Sequence, residues 1–288
     1  MAVSLFFRFR LMVAALALCA PLLARAADTE TMPERTLKDI LARQKVLLED
    51  AAQAGDDRVA QDTVRTQLTS LSQDYQLLIQ ESPDFAPAYA DYGYFLGKLH
   101  MRDEAMKILL KADQIDPTIP MVKNQLGNTL AEDGRPLEAL TYFQAAARLD
   151  PSEPLYWYQI GTLLYCARDT FLGEGGYTRQ QWDQQMHEAF HRAAEDAPDR
   201  IEFTYRYAES FEDLAAPDWN EAFRTWQGLE SKAQSPVDLQ IIQLREARVR
   251  LFQGQPAAAR AILARVTSPE LASQKQKLVA ELPENAKK

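Results

Sequence analysis

The amino-acid sequence predicts an all-α fold built from stacked pairs of helices. Apolar residues recur at a spacing of three or four, the pattern returns after 34 residues, and prolines bound the repeating segments. The clearest copies run from Pro83 to Pro117 and from Pro117 to Pro151. Because one helix pair cannot bury its apolar faces alone, we expect neighbouring pairs to stack into a continuous core.

Each copy carries two apolar stripes with helical spacing, separated by a short break. In the second copy a glycine ends the first helix, and Pro136 suits the first turn of the next. Its stripes are Lys123, Leu126, Gly127 and Leu130, then Ala139, Phe143 and Ala146. The preceding copy has Tyr89, Tyr92, Gly93 and Leu96, then Ala105, Leu109 and Ala112. We expect Gly127 and Ala139 to let the two helices approach closely beside Phe143.

This period, and the placing of Leu-Gly, alanine, an aromatic residue and proline, resemble the tetratricopeptide repeat. The resemblance implies a right-handed α-solenoid of about four to five stacked helix pairs. It also implies a protein that binds other proteins or peptides, without enzymatic activity and without a cofactor.

The remaining segments fit the same pattern more loosely. The predicted repeats occupy residues 83–117, 117–151, 151–198 and 198–236. Residues 27–82 predict an atypical leading pair of helices, and residues 237–288 a degenerate repeat with a C-terminal capping helix. Atypical terminal repeats are expected because their outer faces meet water. Asp218 is expected to cap the second helix of the fourth repeat.

The third repeat contains an insertion. The glycines within residues 168–177 predict a loop, and Thr178 and Gln181 have the spacing of a capping box at the start of the next helix. Three aromatic side chains are expected to fold back onto this helix, namely Phe171, Tyr177 and Trp182. In the alternative interpretation the insertion is an arm that contacts a partner, since insertions often lie on one face of such arrays.

The N-terminus predicts export. Residues 1–26 combine early arginines, an apolar run and a small-x-small cleavage pattern at Ala24 and Ala26, as in a secretory signal peptide. We expect a mature protein that begins near Ala27 and is periplasmic or secreted. Cys19 within the apolar run raises the alternative of a lipid-anchored start.

Charge and cysteine content restrict which partners and which disulfides the protein can have. The net charge is −9, and removing residues 1–26 would take away three arginines and leave −12. Such an acidic chain argues against nucleic acid or an anionic membrane surface as the partner. Cys166 would then be the remaining thiol, which leaves no pair for an intrachain disulfide. The sequence has no second long apolar run, so no transmembrane helix is expected after cleavage.

The resemblance implies a binding groove on the first helices of the repeats. In this family the residues one step after each buried stripe face the concave side. Carried over by position, the groove contains Tyr94, Lys98, Asn124, Asn128, Tyr158, Thr162, Tyr165, Tyr205, Glu209, Glu212 and Asp213. Asparagines can hydrogen-bond an extended peptide, and tyrosines add broad contact area. The alternative for each residue is an exposed helix position that binds nothing.

The same positions predict the charge of the partner. Some family members clamp a terminal carboxylate with lysine and asparagine, but here Tyr158 and Gln159 stand where a cation would be needed. Glu209, Glu212 and Asp213 predict a negatively charged end. We therefore expect a basic or neutral protein or peptide partner, with any lysine or arginine lying toward that end.

Two other functions compete with this interpretation. The motif His187-Glu188-x-x-His191 matches the H-E-x-x-H pattern of zinc-dependent hydrolases, with Glu209 as a third ligand. In the repeat register, however, Phe190 faces the core, so the two histidines are expected to be solvated on the outer side. The other alternative is a structural role in which weakly capped ends stack into homo-oligomers. His100 and Cys166 have no catalytic partner nearby in sequence.

Overall fold

The computed structural model describes residues 30–53, 58–174, 176 and 178–283. Within these ranges the secondary structure consists of α-helices and two short 3-10 turns. The chain divides into two units, residues 1–118 and residues 119–288. The predicted signal peptide, the break at residues 54–57 and Tyr177 lie outside the described residues.

The first unit contains two helix pairs. Its helices are α1 (Met32–Gln53), α2 (Arg58–Glu81), α3 (Ala86–Lys98) and α4 (Arg102–Ile115). Tyr75 of α2 is fully buried, stacks on Tyr92 of α3 at 5.1 Å and donates a hydrogen bond to Gln44 of α1 at 2.7 Å. The leading pair therefore packs against the first repeat.

The second unit contains the other helices. They are α5 (Pro120–Glu132), α6 (Pro136–Leu149), α7 (Pro154–Cys166), α8 (Arg168–Glu174), α9 (Arg179–Asp196), α10 (Ile201–Ser210), α11 (Trp219–Glu230), α12 (Pro236–Phe252), α13 (Pro256–Arg265) and α14 (Ala272–Glu281). The 3-10 turns are Phe211–Asp213, after α10, and Pro269–Leu271, before α14. The helices α5 and α6, α7 and α9, and α12 and α13 pack as pairs, and α11 lies between α10 and α12.

Glycines on the first helices allow close approach within three of the helix pairs. A Cβ atom added at Gly127 would lie 2.6 Å from the ring of Phe143 on the second helix. The equivalent Cβ at Gly161 would lie 2.7 Å from Phe190, and at Gly93 2.6 Å from Leu109. Carbon atoms in ordinary contact are about 3.5–4.0 Å apart, so a larger residue would force the partners to move. The repeat register is confirmed by these contacts.

The helix ends follow local sequence signals. Prolines occupy the first turns of α5, α6, α7, α12 and α13, where no intrahelical donor is lost. Gly134 after α5 and Gly254 after α12 have φ of 74° and 69°, a backbone conformation that favours glycine. The Asp218 carboxylate accepts hydrogen bonds from the first turn of α11, so the predicted cap is confirmed.

The insertion is more ordered than the sequence indicates. Residues 168–174 form helix α8, so the prediction of a loop there was wrong. The helix is held because Phe171 is fully buried and stacks on Trp182 at 4.2 Å, while the Trp182 indole donates a hydrogen bond to the Leu164 carbonyl. The capping box between Thr178 and Gln181 is confirmed at the start of α9.

Along the described residues, no helix combines the length and the apolar character needed to cross a bilayer.

Candidate functional site

Three helices of the second unit, each the first of its helix pair, meet on one face. They are α7, α10 and α12. Side chains of α7 contact α10, and side chains of α10 contact α12. We call this surface the tyrosine–arginine face, and it consists of Tyr158, Tyr165, Tyr205, Arg206, Glu209 and Arg245.

Two tyrosines of this face are anchored in the core. The Tyr158 ring lies 4.5 Å from the Phe203 ring and 5.9 Å from the Phe190 ring. The Tyr205 ring meets the Trp226 ring edge-on at 4.9 Å. Burial raises the pKa of both phenols, which stay neutral at physiological pH. Both rings are half-buried and held in place before any partner arrives.

Arg206 connects α7 to α10. Its guanidinium lies 4.4 Å from the centre of the Tyr165 ring and donates to a Glu209 oxygen at 2.9 Å. The Tyr165 side chain is 45% exposed, so the outer side of this stack is open to solvent. A guanidinium stacked on an aromatic ring is attracted by the negative face of the ring.

The carboxylates at the far end of the predicted groove are paired with arginines. Arg245 of α12 donates to the second Glu209 oxygen at 2.7 Å, and Arg248 lies 3.0 Å from Glu212. The end that the sequence predicts to be negatively charged therefore carries carboxylates that are paired with arginines. The reason is that α12 supplies cations directly opposite the acidic residues of α10 and its 3-10 turn.

Asp213 is also paired, through the insertion. Arg168 at the start of α8 donates to Asp213 at 2.7 Å and lies 3.0 Å from Asp183 of α9. Asp183 is almost fully buried, so this pair is shielded from solvent. Arg168 thus ties the insertion to α9 and to the 3-10 turn after α10.

The other predicted groove residues are not brought together on this face. Asn124 is only 2% exposed and its Oδ1 atom has no hydrogen-bond partner among the described residues, so its prediction as an exposed contact was wrong. Asn128 and Thr162 are partly exposed. In the first unit, the Lys98 ammonium lies 5.2 Å from the Tyr94 ring. Peptide binding by all these residues stays a prediction.

The two histidines of the H-E-x-x-H motif are packed against α10. His187 Nδ1 lies 2.8 Å from the Ser210 hydroxyl, and the Tyr207 ring lies 5.1 Å from His187 and 4.8 Å from His191. Burial, and then the nearby His191, lower the pKa of His187 to about 4. Both histidines are partly buried rather than fully solvated as expected, because side chains of α10 pack against them.

The predicted third zinc ligand points elsewhere. Glu209 is held by Arg206 and Arg245, and no group of three or more His, Cys, Asp or Glu residues that could hold a metal occurs in the described part of the chain. The hydrolase alternative therefore lacks a complete ligand set there. Cys166 is exposed.

The two arginines of this face, Arg206 and Arg245, were not predicted from the sequence as site residues, although a signal was present. Glu209 and Glu212 are three residues apart, and so are Arg245 and Arg248. Residues three apart lie on one side of a helix, so two such pairs on adjacent helices can form two parallel ion pairs. This complementarity becomes visible only if α10 and α12 are already known to be neighbours.

Comparison with known proteins identifies two of the repeats. The tetratricopeptide repeat family model matches residues 86–119 and 122–153, so these two segments are tetratricopeptide repeats. A TPR repeat-containing protein of Treponema pallidum (strain Nichols) is 30% identical over 104 residues, which is 36% of this chain. The match spans 13% of the length of that relative.

Solved structures of three proteins share the fold at 14% sequence identity. YrrB, a TPR protein with an unusual peptide-binding site, matches 70% of this chain and 96% of its own, with a TM-score of 0.59. The pilF protein of Pseudomonas aeruginosa matches 86% and 99%, with a TM-score of 0.57. PilW, a widely conserved type IV pilus biogenesis factor, matches 84% and 99%, with a TM-score of 0.52. The all-α fold of tetratricopeptide-like helix pairs is confirmed.

Proposed function

We propose that this protein is an exported interaction module that binds an extended segment of a protein or peptide partner on the tyrosine–arginine face. Its tetratricopeptide repeats support an interaction role rather than catalysis. The observation that carries the proposal is the stack of the Arg206 guanidinium on the half-exposed Tyr165 ring, at 4.4 Å.

The face has the composition of a binding surface. Tyrosine and arginine are enriched among the residues that dominate binding energy at protein interfaces. Here the tyrosines rest on core aromatics, and Arg206 is fixed by Tyr165 and Glu209. Because these side chains are already held in place, a partner that binds them loses little additional side-chain entropy.

Export is part of the proposal and is supported by the signal-peptide pattern of residues 1–26. N-terminal sequencing of the protein recovered outside the cytoplasm should give Ala27 as its first residue. An acylated Cys19 at that position would instead show a lipid anchor and would contradict cleavage near Ala27.

Site-specific photo-crosslinking tests the location of the binding face. A photoreactive amino acid in place of Tyr165 should give a discrete covalent adduct with the partner in living cells. The matched control is the same substitution at Gln227, an exposed position on the second helix α11. We expect no adduct from Gln227, and an adduct from Gln227 but not from Tyr165 would move the site away from the first helices.

Once the adduct has identified the partner, Tyr165→Ala should weaken its binding. The expected loss is about 1–2 kcal/mol, which is typical of a moderate interface anchor. We choose Tyr165 rather than Tyr158 or Tyr205, because their rings also pack on core aromatics and truncation would destabilise the fold. Equal affinities of Tyr165→Ala and the unchanged protein would contradict the proposal.

A further inference from the structure

We propose that the tyrosine–arginine face takes an acidic segment of its partner, with a carboxylate of that segment bound between Arg206 and Arg245. This inference rests on the proposed function and adds the chemistry of the partner. It differs from the basic or neutral partner that the sequence suggests.

The local charge balance is the first support. Arg206 and Arg245 approach the same carboxylate, one at each oxygen of Glu209, at 2.9 and 2.7 Å. Guanidinium groups stay protonated throughout the physiological pH range, so these three side chains carry a net charge of about +1. A second carboxylate would neutralise this charge, whereas a lysine or arginine would meet two cations.

The geometry of the donors is the second support. A guanidinium has five N–H groups in a planar fork, and Glu209 receives one hydrogen bond from each arginine. Tyr205 also interacts with Arg245. The side chains of Arg206 and Arg245 are 25% and 27% exposed, so both are partly accessible to a partner. Arginine forks match the planar shape of a carboxylate and bind it strongly.

The neighbouring ion pairs locate the acidic residue on the face. Arg248 and Glu212 form a balanced pair at 3.0 Å, and the carboxylates of Asp183 and Asp213 are balanced by Arg168 and Arg179. The excess charge of about +1 therefore lies at Arg206 and Arg245. An acidic side chain is favoured at that position.

The Tyr165 ring adds an apolar contact beside the charged one. It is 45% exposed and covers one side of the Arg206 guanidinium at 4.4 Å. An apolar side chain next to the acidic residue of the partner can pack on this ring and exclude water from the new ion pair. Exclusion of water strengthens the attraction between charges. The recognised segment is therefore an acidic residue with an apolar neighbour.

Selection from a library of short random peptides displayed on phage tests this chemistry directly. We expect the peptides enriched on the full-length mature protein to carry glutamate or aspartate beside an apolar residue. Enrichment should be lost on the Arg206→Gln/Arg245→Gln double variant and kept on Arg224→Gln, an exposed arginine of α11. Thermal unfolding of each variant shows whether the fold is intact.

A single substitution separates recognition from a merely structural role of the arginines. Glu209→Gln removes the carboxylate that competes for both guanidiniums, so the most enriched acidic peptide should bind about threefold to tenfold more tightly. Arg245→Gln should weaken the same peptide about tenfold, as for loss of one charge-assisted contact. Loss of structure at this ion pair would instead weaken binding in both variants.

The possible outcomes distinguish this inference from the proposed function. If the enriched peptides are neutral or basic and still require Tyr165, the inference is wrong and the face remains a binding site. If Glu209→Gln weakens the acidic peptide, carboxylate recognition is also overturned. Absence of any enrichment counts against the inference, while the crosslink at Tyr165 tests the proposed function independently.

Discussion

Replacing Gly127 with alanine should destabilise the second unit, although alanine is the better helix former. The added Cβ would lie 2.6 Å from both Cδ1 and Cε1 of Phe143. Ordinary carbon–carbon contacts are about 3.5–4.0 Å, so the ring must move by roughly 1 Å. Phe143 is only 2% exposed and is enclosed by the core, which resists that movement.

The expected magnitude is the difference between two opposing effects. Overpacking of a well-packed core costs about 1–3 kcal/mol. Alanine in place of glycine within a helix contributes about 1 kcal/mol in the opposite direction. We therefore expect Gly127→Ala to lower the free energy of unfolding by up to about 2 kcal/mol. Gly228 of α11 is the matched control, because a Cβ there meets nothing within 4 Å. Gly228→Ala should stabilise by about 0.5–1 kcal/mol.

Urea unfolding followed by tryptophan fluorescence measures this effect in the second unit alone. All four tryptophans lie there, namely Trp157, Trp182, Trp219 and Trp226. If Gly127→Ala is as stable as Gly228→Ala, the close approach of α5 and α6 is wrong. The double variant Gly127→Ala/Phe143→Leu gives a second check, because a smaller side chain at 143 should make the two effects non-additive by more than about 0.5 kcal/mol.

Two further predictions concern pH. Burial, and then the neighbouring Glu230, raise the pKa of Glu246 to about 7, so its contribution to stability is lost as the pH rises from about 4.5 to about 7. Glu246→Gln should therefore stabilise the protein at pH 8 by on the order of 2 kcal/mol and have little effect at pH 4. The pKa of His187 is lowered to about 4, so stability is lost as the pH falls from about 6.5 to about 4. His187→Gln should remove this loss, and urea midpoints measured across the pH range check both predictions.

The two effects oppose each other, which provides an internal control. In the unchanged protein they partly cancel between about pH 4.5 and 6.5. Glu246→Gln should therefore lose stability on acidification, and His187→Gln should gain it. Arg265 and Arg250 face Glu246 and lower its pKa, but the closest of them is 3.8 Å away. Parallel pH profiles in the two variants would contradict both assignments.

Local sequence patterns encode the helix pairs and their register. The 34-residue period places Gly127 opposite Phe143, and helix-capping signals place Asp218 at the start of α11 and Thr178 at the start of α9. These features are encoded locally, because helix stripes, caps and prolines involve residues a few positions apart. The contact between Gly127 and Phe143 joins the two helices of one pair, and the repeat itself fixes the geometry of that pair.

Only the tertiary structure decided the chemistry of the candidate site. Glu209 is paired by Arg245, which is 36 residues away and on another helix. Asn124 is buried, and His187 is covered by α10. Helix α8 forms because Phe171 finds Trp182 across the insertion. The charge and exposure of a side chain depend on which neighbour lies opposite it, and a repeat pattern specifies the spacing of the helices but not these side-chain partners.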